Sequence, residues 1–181
     1  GIFTNISAPH QENFSSFSEK VKEKMKLFRN TQTLIYCKDY AIIDNEARNL
    51  KNTKCICWSK SLPCELKIAR IDKETDVTII SGIYNSEPVQ IIIPFTDDAS
   101  VENAIHCWLL MLYLGIKNEL IQRGMSRLNP VAMRLEIKKG IGSCTLINDS
   151  YNSDLQSLAI ALDLLNQQHQ HPVKTLILSD I

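Results

Sequence analysis

Residues 143–165 read SCTLINDSYNSDLQSLAIALDLL. The apolar run Cys144–Ile147 breaks at the polar cluster from Asn148 to Asp154, and apolar residues then recur at Leu155, Leu158, Ala159, Leu162 and Leu165. That change of period, from a short continuous run to a 3.6-residue spacing, predicts strand, loop and helix in succession. Ser153 followed by Gln156 three residues on is a capping-box pattern, so the helix is expected to begin there with its free amides facing the loop. A polar loop between a strand end and a helix start is where open α/β sheets commonly build ligand sites. An ordinary Asx-rich turn would give the same pattern.

Outward from this stretch the α/β texture continues. Upstream, Met133 to Lys138 is expected to pair with it through a turn at Lys139-Gly140-Ile141-Gly142, and downstream Val173 to Leu178 is expected as a further strand. Thr33–Cys37 and Lys54–Trp58 look like buried strands flanking a short helix that includes Ala41, Ile42, Ala47 and Leu50. Gly1 to Ile6 is apolar enough for a strand, interrupted at Pro9. Ser15 to Asn30 is amphipathic, with Phe17, Val21, Met25 and Phe28 inward, Lys20 among the outward residues and Lys24 beside the inward stripe. Asn5, His10 and Lys24 could converge at the end of the first strand; spacing alone favours a loop histidine and a solvated lysine.

Between Glu65 and Ile93 the pattern alternates with period two, which predicts an antiparallel insert whose last hairpin turns at Ser86-Glu87-Pro88. Thr96-Asp97-Asp98 offers caps for a helix from about Ala99 to Leu114, apolar nearly all round and therefore buried, with Gly115 ending it. Lys117 to Arg127 is a more polar helix, and Asn129-Pro130 marks a boundary. The expected domains are thus 1–129 and 130–181. A strand at each end of the chain suggests a piece of a longer polypeptide.

Lys plus Arg equals Asp plus Glu at 20 each, so no general polyanion-binding surface, and no nucleic-acid partner, is implied. The six cysteines sit mostly in apolar runs, as reduced thiols of a cytoplasmic protein do. Cys55, Cys57 and Cys64 lack the paired C-x2-C knuckle of a zinc site. The apolar stretch Ala104–Leu114 contains His106 and is too short to span a bilayer, so no membrane association is expected.

Four blocks together resemble the Mur ligases, ATP-dependent amide-bond-forming enzymes of peptidoglycan assembly. Thr4-Asn5-Ile6-Ser7-Ala8-Pro9-His10-Gln11-Glu12 is similar to the family's "TNI-x-x-AH-x-E", with one extra residue between Ala8 and His10. Lys24, fourteen residues after His10, stands where the family keeps a lysine, carbamylated in several members, that helps hold magnesium. The segment Ile93 to Ala104 is similar to "G-x-HN-x-x-NA-x-A"; Asn103 matches the second asparagine, while Ala99 and Ser100 replace the His-Asn pair. Arg134-Leu135-Glu136, then Asp149-Ser150-Tyr151-Asn152 fifteen residues after the arginine, is similar to "R-x-E … D-x-YN".

The resemblance implies the second half of a central ATPase domain with an antiparallel β insert, followed by the first β–α–β of a Rossmann-like C-terminal domain. It implies ATP and Mg2+ as cofactors, with His10 and Lys24 on the metal, Lys24 also catalytic, and Asn103, Arg134, Asp149, Tyr151 and Asn152 on the nucleotide. The blocks are most similar to members that add D-Ala-D-Ala to UDP-MurNAc-tripeptide, including those fused to an alanine racemase, whose pyridoxal-phosphate domain would lie beyond Ile181. No G-T-x-G-K-[ST] phosphate loop occurs in the 181 residues, so the chain alone is expected to lack ligase activity. Alternatives are a free-standing nucleotide-binding module and a structural module that self-associates by dimerisation or strand exchange.

Overall fold

The computed structural model describes residues 1–6, 14–129, 134–151 and 155–178, the side chain of Gln156 excepted. Its centre is a six-stranded mixed sheet whose spatial order follows the sequence: β1 (Ile2–Phe3), β2 (Thr33–Cys37), β3 (Lys54–Ser59), β4 (Leu66–Lys73), β5 (Thr78–Tyr84) and β6 (Glu87–Ile93). The first three run parallel, as the intervening helices α1 (Phe17–Met25) and α2 (Ala41–Arg48) require. Runs such as Leu34–Cys37 and Ile56–Ser59 are buried residue after residue, because both faces of these strands are covered.

The two faces carry separate cores. α1 and α2 lie on one, where Val21, Met25, Ile43 and Ala47 meet Phe3, Leu34, Tyr36 and Cys57. On the other, the long helix α3 (Asp98–Tyr113) sets Val101, Ile105, Trp108 and Leu109 against Ile35, Ile56, Trp58, Ile80 and Ile91. Lys20, expected outward, is 4% exposed. It lies three residues after Phe17 and beside Val21, so it falls on the buried stripe of α1.

The expected antiparallel insert is a continuation of the main sheet. β4 joins parallel to the end of β3 over two pairs, Trp58–Leu66 and Ser59–Lys67, and then forms an antiparallel meander with β5 and β6. Its last hairpin turns at Asn85-Ser86, one step earlier than expected, while Glu87 and Pro88 pair within β6. Both turn residues have positive φ, 50° and 69°, the geometry of a two-residue type I′ turn. Serine is strained there. Ser86→Gly is expected to raise the free energy of unfolding by about 0.5 kcal/mol, read as a higher urea midpoint at unchanged slope.

Two devices protect the outer edge of β6. Pro88 has no N–H to offer, and the Gln122 side chain on α4 (Asn118–Met125) binds both backbone groups of Ile92, accepting from its N–H at 2.8 Å and donating to its carbonyl at 3.0 Å. α3 is capped by Asp97, whose carboxylate accepts from the Ser100 N–H at 2.7 Å, and it ends in a Schellman turn with Gly115 at φ +71°.

Beyond α4, β7 (Glu136–Lys139) and β8 (Thr145–Asn148) form a separate antiparallel hairpin, followed by α5 (Leu155–Gln167). The capping-box residue Ser153 lies outside the described residues. Val173–Leu178, expected as a strand, pairs with no strand among the described residues, and Val173, Leu176, Ile177 and Leu178 are all exposed. A strand needs a ladder partner, and β8 has β7 on one side without reaching this run. No helix among the described residues is long and apolar enough to cross a membrane.

Candidate functional site

A cleft of about 270 Å³ opens where the start of α3 faces the hairpin and α5. Phe95, Asp97, Ala99, Ser100 and Asn103 form one wall; Arg134, Leu135 and Asp149 form the other, with Ser157 and Ile160 of α5 and Asn129 closing the ends. Asn103, Arg134 and Asp149, drawn from blocks up to 46 residues apart, therefore line one cavity. The first turn of α3 presents the positive end of a sixteen-residue helix to it.

The fifteen-residue separation of Arg134 and Asp149 is set by hairpin register. Glu136 pairs with Asn148 and Ile137 with Ile147, so one further step sets Leu135 opposite Asp149. There the Asp149 Oδ1 accepts the Leu135 N–H at 3.1 Å, and Leu135 adopts φ +49°, a left-handed conformation that leucine rarely takes. The Arg134 guanidinium lies 4.4 Å from the centre of the Tyr151 ring. Tyr151 is 56% exposed and does not line the cleft.

Lys24 lies elsewhere. It is exposed on α1, on the face of the sheet opposite α3, and is not part of the cleft. His10 and Asn152 lie outside the described residues. Among the described residues no group of three or more His, Cys, Asp or Glu side chains is arranged to hold a metal. Cys57 and Cys64 instead donate to the Glu65 carboxylate at 3.3 Å and the Leu66 carbonyl at 3.1 Å.

A second cavity, of about 360 Å³, shares Asp97 and Ile160 with the first. Its lining holds Asp97, Asp98 and Asp163 and no arginine or lysine, and Asp98 is paired with Lys73 at 2.7 Å. The cleft between α3 and the hairpin, by contrast, has Arg134 in its wall. Its volume lies just under the range of about 300–1,000 Å³ typical of whole small-molecule sites, so it suits one part of such a ligand.

Sequence reasoning passed over a buried network behind the cleft. His106, 1% exposed and one turn after Asn103, accepts the Trp58 indole N–H on Nδ1 at 3.1 Å. That acceptor role puts the proton on Nε2, which donates to the Thr4 carbonyl at 3.0 Å. Burial pushes the His106 pKa down to about 4, so the ring is neutral at physiological pH. Glu102 adjoins it: one oxygen accepts from the Tyr40 hydroxyl at 2.9 Å and the other is buried 4.0 Å from His106 Nε2, and burial raises its pKa. The network ties the exit of β1 to the helix that carries Asn103. Its only sequence signal was a histidine inside an apolar helix.

The model of the Mur ligase middle domain matches residues 1–111. The chain belongs to the Mur ligase family. Over 183 residues it is 26% identical to the UDP-N-acetylmuramoyl-tripeptide--D-alanyl-D-alanine ligase of Bacillus subtilis, covering 99% of this chain and 39% of that protein. It is 29% identical to the UDP-N-acetylmuramoylalanine--D-glutamate ligase of Elusimicrobium minutum, covering 87% and 34%. The chain thus spans roughly a third to two fifths of these relatives. Crystal structures of the Mur ligase MurF share the fold: that from Acinetobacter baumannii superimposes with TM-score 0.80 at 19% identity over 93% of this chain and 37% of its own. MurF from Thermotoga maritima in complex with ADP gives 0.74 at 14% identity, over 92% and 38%. The mixed α/β sheet and the family expected from the four blocks are therefore both found.

Proposed function

We propose that this chain is part of an ATP-dependent amide-bond-forming ligase that adds D-Ala-D-Ala to UDP-MurNAc-tripeptide in peptidoglycan synthesis. Residues 1–129 would belong to its central ATP-binding domain and 130–181 to the start of the next. The observation that carries the reading is the meeting of Asn103, Arg134 and Asp149 in one cleft between the start of α3 and the β7–β8 hairpin. Three side chains that the family resemblance assigns to the nucleotide come together in space, and the D-alanyl-D-alanine ligase of Bacillus subtilis aligns along 99% of the chain.

Each side chain has a distinct task in this reading. The Arg134 guanidinium neutralises phosphate charge, with donors in a planar fork suited to bidentate contact. Asp149 keeps one oxygen on Leu135 and has the other for a ribose hydroxyl. Asn103 offers an amide, both donor and acceptor, to the base. Such chemistry relies on positioning and charge neutralisation more than on covalent steps. ATP supplies the phosphoryl group that activates the substrate carboxylate for attack by the amine of D-Ala-D-Ala. His10 and Lys24 are the residues proposed for Mg2+, and no step is derived through that ion. The reaction would take place in the cytoplasm.

Since the 181 residues span at most about two fifths of these relatives, activity is taken to need the remainder. The test is phosphate release dependent on both D-Ala-D-Ala and UDP-MurNAc-tripeptide. It is expected from the longer enzyme and absent from the 181-residue chain. Turnover by the isolated chain, abolished by Lys24→Ala, would overturn the assignment of activity to the longer protein. Phosphate release driven by D-glutamate instead would move the chain to the other ligase of the family.

A further inference from the structure

Arg134 is held from two sides by residues of its own hairpin. Its guanidinium carbon sits 4.4 Å above the Tyr151 ring, within the range in which the negative face of an aromatic ring attracts a cation. Its backbone leads directly into Leu135, whose left-handed φ of +49° is accompanied by the 3.1 Å hydrogen bond from its N–H to Asp149 Oδ1. Without that acceptor nothing in the local sequence favours the conformation, since leucine loses the advantage that glycine or asparagine has there. Arg134, Leu135 and Asp149 line the cleft and Tyr151 does not.

We propose that Tyr151 and Asp149 act as positioning residues for Arg134: Tyr151 stacks on its guanidinium from outside the cleft, and Asp149 fixes the turn from which its side chain projects. Tyr151 then touches no nucleotide. This departs from the direct nucleotide contact that the family resemblance implies for Tyr151, and it rests on the reading of the cleft as a nucleotide site. The ring presents one face to Arg134 and leaves more than half of its surface to solvent, the arrangement of a backing plate. The hairpin explains the spacing as well: Arg134 and Tyr151 flank the Leu135–Asp149 pair, so arginine, aspartate and tyrosine form one structural unit.

The test uses the whole 181-residue chain and two kinds of readout. The first needs no ligand: in NMR spectra the Arg134 side-chain protons are shifted by the Tyr151 ring current, and the Leu135 amide exchanges slowly with solvent. Tyr151→Ala is expected to abolish the shift, Tyr151→Phe to retain it, and Asp149→Asn, which keeps an acceptor oxygen, to leave the Leu135 amide protected where Asp149→Ala does not. The second is ADP affinity by calorimetry, expected to fall about two- to fivefold in Tyr151→Ala and to be unchanged in Tyr151→Phe. An unshifted Arg134 in the unaltered chain, or equal loss of affinity in Tyr151→Phe and Tyr151→Ala, would overturn the proposal. If ADP does not bind at all, the nucleotide reading fails, while the ligand-free measurements still decide whether the clamp exists.

Discussion

Replacing His106 by leucine is expected to lower the free energy of unfolding by about 1–3 kcal/mol, because it leaves the buried Trp58 N–H without an acceptor. The Trp58 indole N–H loses its acceptor among side chains that exclude water, Trp58 and His106 each being 1% exposed, while the carbonyl of the exposed Thr4 loses its donor but can turn to solvent. Leucine fills much of the space, so the loss comes mainly from unmade hydrogen bonds. The same residue gives the fold an acid sensitivity whose sign is fixed. In the folded protein the ring stays neutral down to about pH 4, whereas in the unfolded chain it takes up a proton near about pH 6.5.

Above about pH 6.5 His106 contributes nothing to the slope. Between the two values the unfolded state binds a proton that the folded state does not, so stability falls as pH falls, by at most about 1.4 kcal/mol per pH unit, and levels off below the folded value. Glu102 works in the opposite sense. Its raised pKa means that the folded state takes up a proton first on acidification, which offsets part of the loss at the acid end of the window. Urea unfolding at several pH values between 7.5 and 4.5 should show this decline in the natural chain and a flatter dependence in His106→Leu. An unchanged slope in the variant would place the sensitivity elsewhere.

Arg134→Ala should weaken ADP binding by about tenfold to a hundredfold, the range of one charge-assisted contact to phosphate. Arg134→Lys should recover only part of this, since a point charge lacks the planar fork. Asp149→Asn separates two roles of one carboxylate: the amide oxygen can still accept the Leu135 N–H, so the hairpin persists, while the negative charge is gone. Asp149→Ala removes both and should weaken binding more than Asp149→Asn does. Lys24→Ala, on the opposite face of the sheet and outside the cleft, should leave ADP affinity unchanged when it is measured without Mg2+. Calorimetry with ADP on the five variants and the natural chain tests the set; equal affinities in Arg134→Ala and the natural chain would remove the cleft from consideration.

The parallel strands, α3 and its cap were legible because their signals are local. Thr33–Cys37 is a continuous apolar run, Asp97 is a cap followed by an apolar helix, and Gly115 sits where a Schellman turn needs positive φ. The pairing of Asn103 with Arg134 and Asp149 was accessible only through family resemblance, since no periodicity connects residues 31 and 46 positions apart. Three features escaped for physical reasons. The junction of β4 with β3 depends on two backbone pairs that any sequence could make. The burial of Lys20 depends on which neighbours surround the hydrocarbon stem. His106 looks on paper like a polar intrusion into an apolar helix, and only the Trp58 N–H and the Thr4 carbonyl show why it is tolerated.

The guarded edge of β6 has a consequence for assembly. Of its outward-facing backbone positions, Pro88 offers no donor and Ile92 is already paired by the Gln122 amide, which imitates a neighbouring strand one residue long. A strand approaching the β6 edge therefore meets a stopper at these two positions before it can pair. An edge stopped in this way resists the open-ended strand pairing that builds a fibre.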